Sequence, residues 1–349
     1  MRGRLVGARN ASIVTAAPDT NSDAETVRRR ALPVVAEDFA GMRSQAFGLA
    51  ERLGFPAKLT PIRPAGLMRV LPARMWPNPL AAVEAGEFAA HSSDSSIIGP
   101  VLTVAGKGAA IGAALRRKGY TVVQIQHPRM KLDRFDLVVA NVHDEIEGPN
   151  VLLGRTALHG LTPVRLEQAR ADWSARLVRC GQPLLAALVG GANGRFRFGR
   201  AEAEQLGALL ARAARASGAH LFITTSRRTG AEGVAALREA AASVGGTLWS
   251  EGTDNPYLGL VACADFLVVT TDSISMMSEA AASSVPLYIH GLPGSSRRIG
   301  IFVETLLKCG RARRFEGDVE RWPVEPLDDA PAIAREIRAR LGLPTPENA

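Results

Sequence analysis

Residues 266–281 read Phe-Leu-Val-Val-Thr-Thr-Asp-Ser-Ile-Ser-Met-Met-Ser-Glu-Ala-Ala, and the fold class can be inferred from them. The strand predicted at Phe266–Thr270 is apolar without alternation, which is typical of a strand covered on both faces of a parallel sheet. A turn of small hydroxyl residues leads from this strand into a helix predicted at Ser275–Ala282. A buried strand, a polar turn and a helix in this order form the repeating unit of a doubly wound α/β fold.

The same alternation extends along the chain on both sides of this unit. It breaks only over residues 160–182, which contain a polar helix-like stretch between Pro163 and a Gly-Gln-Pro turn. We therefore predict an α/β protein with two doubly wound, Rossmann-like domains that face a cleft. The N-terminal domain is placed at residues 31–165 and the C-terminal domain at 181–325. Residues 326–349 hold a last helix, which we expect to pack back on the first domain, and a tail. Residues 1–30 are predicted to be a disordered or mis-started extension.

The predicted elements are defined by apolar runs and by helical spacing. The predicted strands are 32–36, 101–105, 122–125, 137–140, 184–189, 220–225, 247–250, 266–270 and 287–289. The predicted helices are 44–53, 109–118, 201–216, 231–242, 257–262, 275–282 and 330–341.

Length and composition exclude several classes of protein. The chain has 349 residues, enough for about two domains. Its three cysteines are far apart and form no Cys-x-x-Cys pair, which argues against a disulfide framework and a structural zinc site. Hydrophobic residues make up 46% of the chain, but no apolar run approaches the roughly 20 residues of a membrane span.

The positive charge of the chain is concentrated in one segment. The formal net charge is +8, and residues 151–230 hold 12 Arg against 4 acidic residues, so this segment alone carries the surplus. Such a surplus favours an anionic partner, although a general preference of this chain for Arg over Lys is the alternative explanation. The aromatic content of 5% and the lack of a base-stacking pattern argue against nucleic acid.

Four loops of the second domain follow predicted strands, so we expect them to converge at one edge of the sheet. Glycines, hydroxyl groups, arginines and helix-start amides at this edge are suited to binding phosphate. Glu279 lies one helical turn after Ser275, where its carboxylate is suited to accept hydrogen bonds from ribose hydroxyls. The alternatives are a plain tight turn, helix caps, and a packing role for Tyr257. The candidate binding residues are Gly190, Gly191, Ser226, Arg227, Asn255, Tyr257, Asp272, Ser273, Ser275 and Glu279.

Four residues that follow strands of the first domain are candidate general bases. They are Asp38, His127, His143 and Asp144. The alternative for each histidine is a structural or exposed side chain.

At these loops the sequence resembles the mitochondrial-fission "elongated mitochondria" family, over about residues 33–342. That family is similar to the GT-B glycosyltransferases, which have two Rossmann-type domains and a nucleotide-sugar site mainly in the C-terminal one. The motifs that carry the resemblance are 41–45 with 48–51, 127–129, 135–139, 143–144, 148–151, 190–191, 196–198, 224–228, 255–257, 271–280 and 315–317.

The resemblance implies a role for each loop. Glu279 would bind the ribose, and the 190–191 loop would approach the phosphates or the sugar. Gly41 and Gln45, in the loop after the first strand, would face the acceptor. The sequence departs from the family pattern at Ser44, where Asn is expected, and at residues 193–194, where Ser-Lys is expected. The residues that would hold the diphosphate are Ser226, Arg227, Ser273 and Ser275.

Together these features predict a metal-independent, GT-B-like glycosyltransferase whose substrate is a nucleotide-diphospho sugar, with no further cofactor. The acceptor is expected to be a lipid or an envelope glycan. The composition is typical of a bacterial protein, and the predicted location is cytoplasmic, with peripheral contact to the inner membrane through an amphipathic helix around Leu67–Trp76. Core packing of that segment is the alternative. The rival functions are a non-catalytic nucleotide-sugar-binding or adaptor protein of the fission family and a nucleotide-sugar epimerase.

Overall fold

The computed structural model describes residues 31–84, 88, 99–177 and 181–344. Within these ranges the chain forms two parallel six-stranded sheets with helices packed on their faces. The predicted α/β class with two doubly wound domains is therefore confirmed. The extension predicted at residues 1–30 and the end of the tail, residues 345–349, lie outside the described residues.

The first sheet has the strand order β2-β1-β3-β4-β5-β6, and every neighbouring pair is parallel. Helices α1 (Ala40–Leu53) and α2 (Ala105–Arg116) follow β1 and β3 directly. The strands are β1 (Leu32–Ala36), β2 (Ala57–Pro61), β3 (Val101–Val104), β4 (Val122–Ile125), β5 (Leu137–Asn141) and β6 (Val151–Gly154).

The second sheet has the strand order β12-β11-β10-β7-β8-β9, which is the usual order of a Rossmann domain. Its strands are β7 (Leu184–Val189), β8 (His220–Thr225), β9 (Thr247–Trp249), β10 (Phe266–Thr270), β11 (Leu287–His290) and β12 (Ala312–Arg314). The remaining helices are α3 (Pro163–Leu177), α4 (Arg200–Ser217), α5 (Gly230–Ala242), α6 (Tyr257–Cys263), α7 (Ile274–Ala281), α8 (Arg297–Lys308) and α9 (Ala330–Leu341).

The strand order reverses between β7 and β10 in the second sheet and between β1 and β3 in the first. In open α/β sheets the turns at such a reversal diverge to opposite faces and leave a crevice, so ligands bind there. The turns after β7 and β10 contain the glycines and the hydroxyl residues selected from the sequence. The topology therefore places the candidate residues at the edge where a ligand site is expected.

The core explains why the central strands were predictable. All six residues of β7 and all five of β10 are buried, as expected for strands covered on both faces. In β1, Val34 and Val35 belong to different apolar clusters because alternate side chains point to opposite faces of the first sheet. One of these clusters includes Ile333 and Ile337 of α9, so the C-terminal helix packs on the first domain.

Three strands and two helices of the structure were assigned no bounds from the sequence. Strands β2, β6 and β12 were not predicted. Both β2 and β12 lie at the edge of a sheet, and they contain Lys58 and Arg313 where the central strands are apolar. The segment 160–182 was treated as a break with a polar helix-like stretch, and helix α3 occupies most of it. Helix α8 was also missed, although Ile299, Phe302 and Val303 form an apolar face on it.

The prediction of an amphipathic helix around Leu67–Trp76 is wrong. The chain forms two short 3₁₀ helices instead, Gly66–Arg69 and Ala73–Met75. Pro72 lies between them, and a proline interrupts a helix because it has no N–H and its ring clashes with the preceding turn. Trp76 is buried, and its indole Nε1 donates a hydrogen bond to Leu71 O at 3.1 Å.

No helix in the described part of the chain is both long enough and apolar enough to span a membrane.

Gly48 permits the closest approach between α1 and the loop that precedes α3. A Cβ at this position would lie 2.2 Å from the carbonyl oxygen of His159, and backbone atoms cannot give way easily. We expect Gly48→Ala to lower the free energy of unfolding by about 1–3 kcal/mol, because it overpacks this contact. Chemical denaturation measures the change.

Gly300 offers a matched control, because it is also helical but exposed, and a Cβ at this position would meet no described atom within 4 Å. Gly300→Ala should raise the free energy of unfolding by about 0.5–1 kcal/mol, the ordinary gain for alanine in a helix. If both substitutions stabilised the protein, the close contact at Gly48 would be contradicted.

Candidate functional site

A cavity of about 960 Å³ lies between the two domains. Its wall from the first domain is the start of α1 and the segment 160–166. Its wall from the second domain is the turn 226–228 after β8, the start of α6 and the residues 273–279. We call it the cleft cavity. It lies at the carboxyl ends of the strands, where the strand order predicts a ligand site.

Glu279 is the only carboxylate among the described residues that line the cleft cavity. Its Oε2 accepts a hydrogen bond from the Tyr257 hydroxyl at 2.5 Å, and its Oε1 accepts one from Ser44 Oγ at 3.2 Å. Burial raises the pKa of Glu279, and the two hydroxyl contacts act in the opposite direction. This carboxylate already accepts hydrogen bonds from two hydroxyl groups, the chemistry that the sequence predicts for it with ribose.

Tyr257 is held in place by the same contact. Burial, and next the charge of Glu279, raise the pKa of Tyr257 well above its usual value, so the phenol remains a donor. Its ring packs against the apolar cluster of the second domain. The sequence left both binding and packing open for this ring, and the structure favours packing.

Arginines dominate the charge of the cleft cavity. Four of them line it, against the single carboxylate. Three are bound to carboxylates, whereas Arg227 is exposed and has no ion pair within the described ranges. Arg227 is therefore free to bind an anionic ligand. The three pairs are Arg43–Asp38 at 2.5 Å, Arg165–Glu51 at 2.7 Å and Arg228–Asp272 at 2.5 Å.

Four serines line the cleft cavity, and three of them, Ser226, Ser273 and Ser275, are residues selected from the sequence. Ser226 Oγ donates a hydrogen bond to Gly190 O at 2.6 Å, so this hydroxyl does not donate to a ligand in this arrangement. Ser273 caps α7, since its Oγ accepts a hydrogen bond from Met276 N at 3.3 Å. The Ser275 hydroxyl has no hydrogen-bond partner in the part of the chain described here, which leaves it available to a ligand.

The structure corrects the expectation for Gly190 and Gly191. Their amides donate to Thr270 Oγ1 at 2.8 Å and to Asp272 Oδ2 at 3.1 Å, so groups of the chain already occupy the predicted phosphate cradle. A Cβ at Gly190 would lie 2.1 Å from Asp272 Oδ2, and one at Gly191 would lie 2.2 Å from Arg228 O. The glycines are required for a close approach of two turns, whereas the alternative stated from the sequence was a plain tight turn.

Asp272 also has a different role from the one predicted. Its side chain is completely buried and does not line the cleft cavity. It accepts hydrogen bonds from Gly191 N and from Thr270 Oγ1 at 2.7 Å, and it pairs with Arg228. Asp272 therefore positions the turns and does not itself face a ligand.

Two further candidates lie outside the cleft cavity. Asn255 is exposed, and its Oδ1 accepts a hydrogen bond from Tyr257 N at 3.0 Å, which starts α6. Gln45 is buried, and its Oε1 accepts a hydrogen bond from Gln126 Nε2 at 3.0 Å. Gly41, the other residue expected on the acceptor side, does line the cavity.

The four candidate bases do not meet at one site, and none of them lines the cleft cavity. Asp38 lies beside it, bound to Arg43 and half exposed. His143 is buried against the edge of Phe302, and burial lowers its pKa to about 4. Asp144 is buried and pairs with Arg298 at 2.6 Å. Both are structural, which was the alternative stated for His143.

His127 lines a separate cavity, which is formed mainly by the first domain. Its Nδ1 accepts a hydrogen bond from Arg129 N at 2.8 Å, which fixes the proton of the neutral ring on Nε2. In this arrangement His127 is a hydrogen-bond donor and not a base.

The sequence missed several residues of the site. Ser44 and Arg165 reach the cleft cavity from the first domain, and Phe39 and Leu258 give it exposed apolar walls. Ser44 was noted only as a departure from a family pattern. No group of three or more His, Cys, Asp or Glu that would suit a metal ion occurs among the described residues.

Two Rossmann-like domains with a cleft between them define the GT-B class of fold. The solved structure of the glycotransferase of kitacinnamycin has this fold, with a TM-score of 0.50, 14% identity, and coverage of 90% of this chain and 94% of that one. The chain belongs to the family described as Mitochondrial fission ELM1, whose sequence model matches residues 40–341. Both resemblances noted from the sequence are thus confirmed.

Two relatives illustrate the family. The Mitochondrial fission protein ELM1 of Arabidopsis thaliana is 30% identical over 275 residues, which are 70% of this chain and 64% of the relative. This chain therefore matches less than two thirds of the length of that relative. An uncharacterised protein of Rickettsia prowazekii (strain Madrid E) is 27% identical over 283 residues, or 70% of this chain and 80% of the relative.

The role given to Asp272 leads to a stability prediction. Asp272→Ala leaves the buried amide of Gly191 and the Thr270 hydroxyl without their acceptor. We expect it to lower the free energy of unfolding by about 1–3 kcal/mol, the cost of an unsatisfied buried polar group. Thermal and chemical denaturation measure this change.

Asp318→Ala is the control, because it removes an exposed ion pair with Arg212, and such pairs contribute little. It should leave the melting midpoint unchanged. Equal midpoints for the two variants would show that Asp272 does not hold the turns together.

Proposed function

We propose that this protein is a metal-independent, GT-B-type glycosyltransferase that binds a nucleotide-diphospho sugar in the cleft cavity. The observation that carries the proposal is the juxtaposition, in one cavity, of an unpaired guanidinium and a half-buried carboxylate. Arg227 supplies the first and Glu279 the second, and hydroxyl groups accompany them in the lining. A nucleoside diphosphate needs both, since its phosphates are anionic and its ribose presents two hydroxyls.

The diphosphate would bind to Arg227 and to the hydroxyl of Ser275. A guanidinium binds phosphate oxygens in a bidentate manner, and positive charge at this point stabilises a leaving diphosphate in place of a metal ion. Ser226 and Ser273 border the same space and would contribute through their oxygens or nearby amides.

The ribose would bind to Glu279. The Ser44 hydroxyl now occupies Oε1 of this carboxylate, at 3.2 Å. A ribose hydroxyl would take its place, so we propose that donor binding separates Ser44 of the first domain from Glu279 of the second.

The acceptor would be activated from the first domain. Asp38 is the candidate base that lies nearest the cleft, through its pair with Arg43. The other three candidates lie elsewhere, and this favours, as a second candidate function, a non-catalytic nucleotide-sugar-binding or adaptor protein of the fission family. Release of nucleoside diphosphate from the donor, with and without acceptor, separates the two functions.

An epimerase would need two acid/base groups around the sugar, and the described lining of the cleft cavity supplies one carboxylate.

A lipid or envelope-glycan acceptor would bring the protein to the inner face of a membrane. The segment 62–83 contains three arginines and no acidic residue. Three large apolar side chains of this segment are exposed to solvent. They are Leu67, Val70 and Met75, which are 70%, 78% and 58% exposed. We propose that this segment inserts into an anionic bilayer surface, because apolar side chains among basic ones bind such surfaces.

Nucleotide binding tests the donor site. In a thermal-shift titration with UDP, GDP, ADP, CMP and their sugars, one nucleotide class should raise the melting temperature. Arg227→Ala should weaken that nucleotide by about 10- to 100-fold, the loss expected for a hydrogen bond between charged groups.

Arg335→Ala is a matched control, since Arg335 is also an exposed arginine without an ion pair within the described residues, but it lies on α9. It should leave nucleotide binding unchanged. A binding curve that neither substitution alters would rule out the cleft cavity as the donor site.

Vesicle binding tests the membrane contact. Val70→Asp should reduce binding to vesicles of equimolar phosphatidylglycerol and phosphatidylcholine by about tenfold, because it replaces an inserted apolar side chain by a charge. Val164→Asp is the control, since Val164 is 77% exposed but lies on α3. Equal losses for both variants would contradict a specific role for the segment 62–83.

A further inference from the structure

A second cavity, of about 340 Å³, is lined mainly by the first domain and shares no described lining residue with the cleft cavity. We call it the first-domain cavity. Its walls are Glu37 at the end of β1, residues 105–107 after β3, residues 126–130 after β4, the segment 72–74 and Arg298 of α8. It thus lies at the carboxyl ends of the strands, beside the reversal of strand order in the first sheet.

The charge of the first-domain cavity is strongly positive. Arg74, Lys107, Arg129 and Arg298 line it, and Glu37 is the only acidic residue in its described lining. Lys107 is bound to Glu37 at 2.6 Å, so these two charges cancel. Arg74 and Arg129 are exposed and have no carboxylate partner in the described parts of the chain. Two uncompensated guanidiniums therefore face one small cavity, which favours an anion.

Two donors at this cavity lack acceptors. Arg298 pairs with Asp144 through Nη2, but its Nε is buried and has no hydrogen-bond partner among the described residues. His127 directs Nδ1 to Arg129 N, so its Nε2 carries the proton and is a further donor. A buried donor without an acceptor is unfavourable, and the oxygen of a bound anion could supply the missing acceptor.

The backbone around the first-domain cavity is strained. Ala105, Gln126 and Arg129 have φ angles of 57°, 69° and 57°, in the left-handed region that non-glycine residues rarely adopt. Among the described residues one further non-glycine residue, Glu145, has a positive φ. Three strained positions around one cavity are typical of a ligand site, where the surrounding structure holds the backbone in an unfavourable conformation.

We propose that the first-domain cavity binds a phosphate or diphosphate group. Guanidinium and imidazole donors match phosphate oxygens, and two uncompensated positive charges match the charge of a phosphate monoester or a diphosphate. On the proposed function, on which this part of the inference rests, that group belongs to the acceptor. Arg74 also belongs to the segment 62–83, so the phosphate comes either from a lipid headgroup or from a free phosphorylated acceptor.

Calorimetric titration of the full chain with pyrophosphate tests the proposal. The wild-type protein should bind two equivalents, one in each cavity. Arg129→Asn should weaken the affinity for one of these two pyrophosphate equivalents at least tenfold, so that this equivalent is no longer detected. A tenfold loss corresponds to one hydrogen bond between charged groups. Asparagine is chosen because it tolerates a left-handed backbone. Arg74→Ala, at an independent position of the same cavity, should give the same result.

The result separates this proposal from the proposed function. Arg227→Ala should remove the other equivalent and leave the first-domain site intact. One equivalent that only Arg227→Ala removes would overturn the first-domain site but keep the donor site. If wild type binds one equivalent and only Arg129→Asn removes it, the first-domain site is kept and the donor site is overturned. If no pyrophosphate binds, both sites are overturned.

A vesicle arm identifies the source of the phosphate. If the group is a lipid headgroup, Arg129→Asn should weaken binding to the equimolar phosphatidylglycerol vesicles, and pyrophosphate should compete with those vesicles. If the acceptor is free, vesicle binding should be the same for Arg129→Asn and wild type, while pyrophosphate binding still drops. Either pattern supports a phosphate site. Loss of vesicle binding without any loss of pyrophosphate binding would contradict it.

Discussion

The buried carboxylate of Asp272 organises the edge of the second domain on which the candidate site is built. It binds the amide of Gly191, the hydroxyl of Thr270 and the guanidinium of Arg228. A charge without solvent contact is tolerated only when it is paired and hydrogen-bonded, and these three partners meet that condition. Since Arg228 is used in this way, its neighbour Arg227 is the arginine that the cleft cavity offers to a ligand.

The two domains are joined at the cleft by specific polar contacts. Ser44 bridges them, since its Oγ accepts a hydrogen bond from Gly160 N at 3.1 Å and donates to Glu279. At the other end of the interface Arg298 of α8 pairs with Asp144 of the first domain. Interfaces of this polar kind allow relative motion of domains. A ligand hydroxyl that replaces Ser44 on Glu279 would therefore break a hydrogen bond between the domains and allow the cleft to change its width.

The sequence was sufficient for the parts of the fold that depend on local patterns. Strands β7 and β10 are continuous apolar runs and were placed with their observed bounds, whereas the polar edge strands β2 and β12 carry no such signal. In the site, Glu279, Ser275 and Arg227 were recognised as polar groups after strands. Local sequence patterns do not show which of these polar groups form hydrogen bonds with one another. Gly190 and Asp272 are far apart in the sequence, and only the folded structure shows that the carboxylate fills the glycine loop.

A crystal structure with the nucleoside diphosphate that binds best would test most directly whether the cleft cavity is the donor site. The diphosphate should lie against Arg227 and Ser275, and a ribose hydroxyl should occupy Glu279 Oε1 in place of Ser44. The turn at Gly190 and Gly191 should keep its contacts with Asp272. A nucleotide bound outside the cleft cavity, or one bound inside it with the Ser44–Glu279 hydrogen bond intact and the ribose elsewhere, would contradict the proposed site.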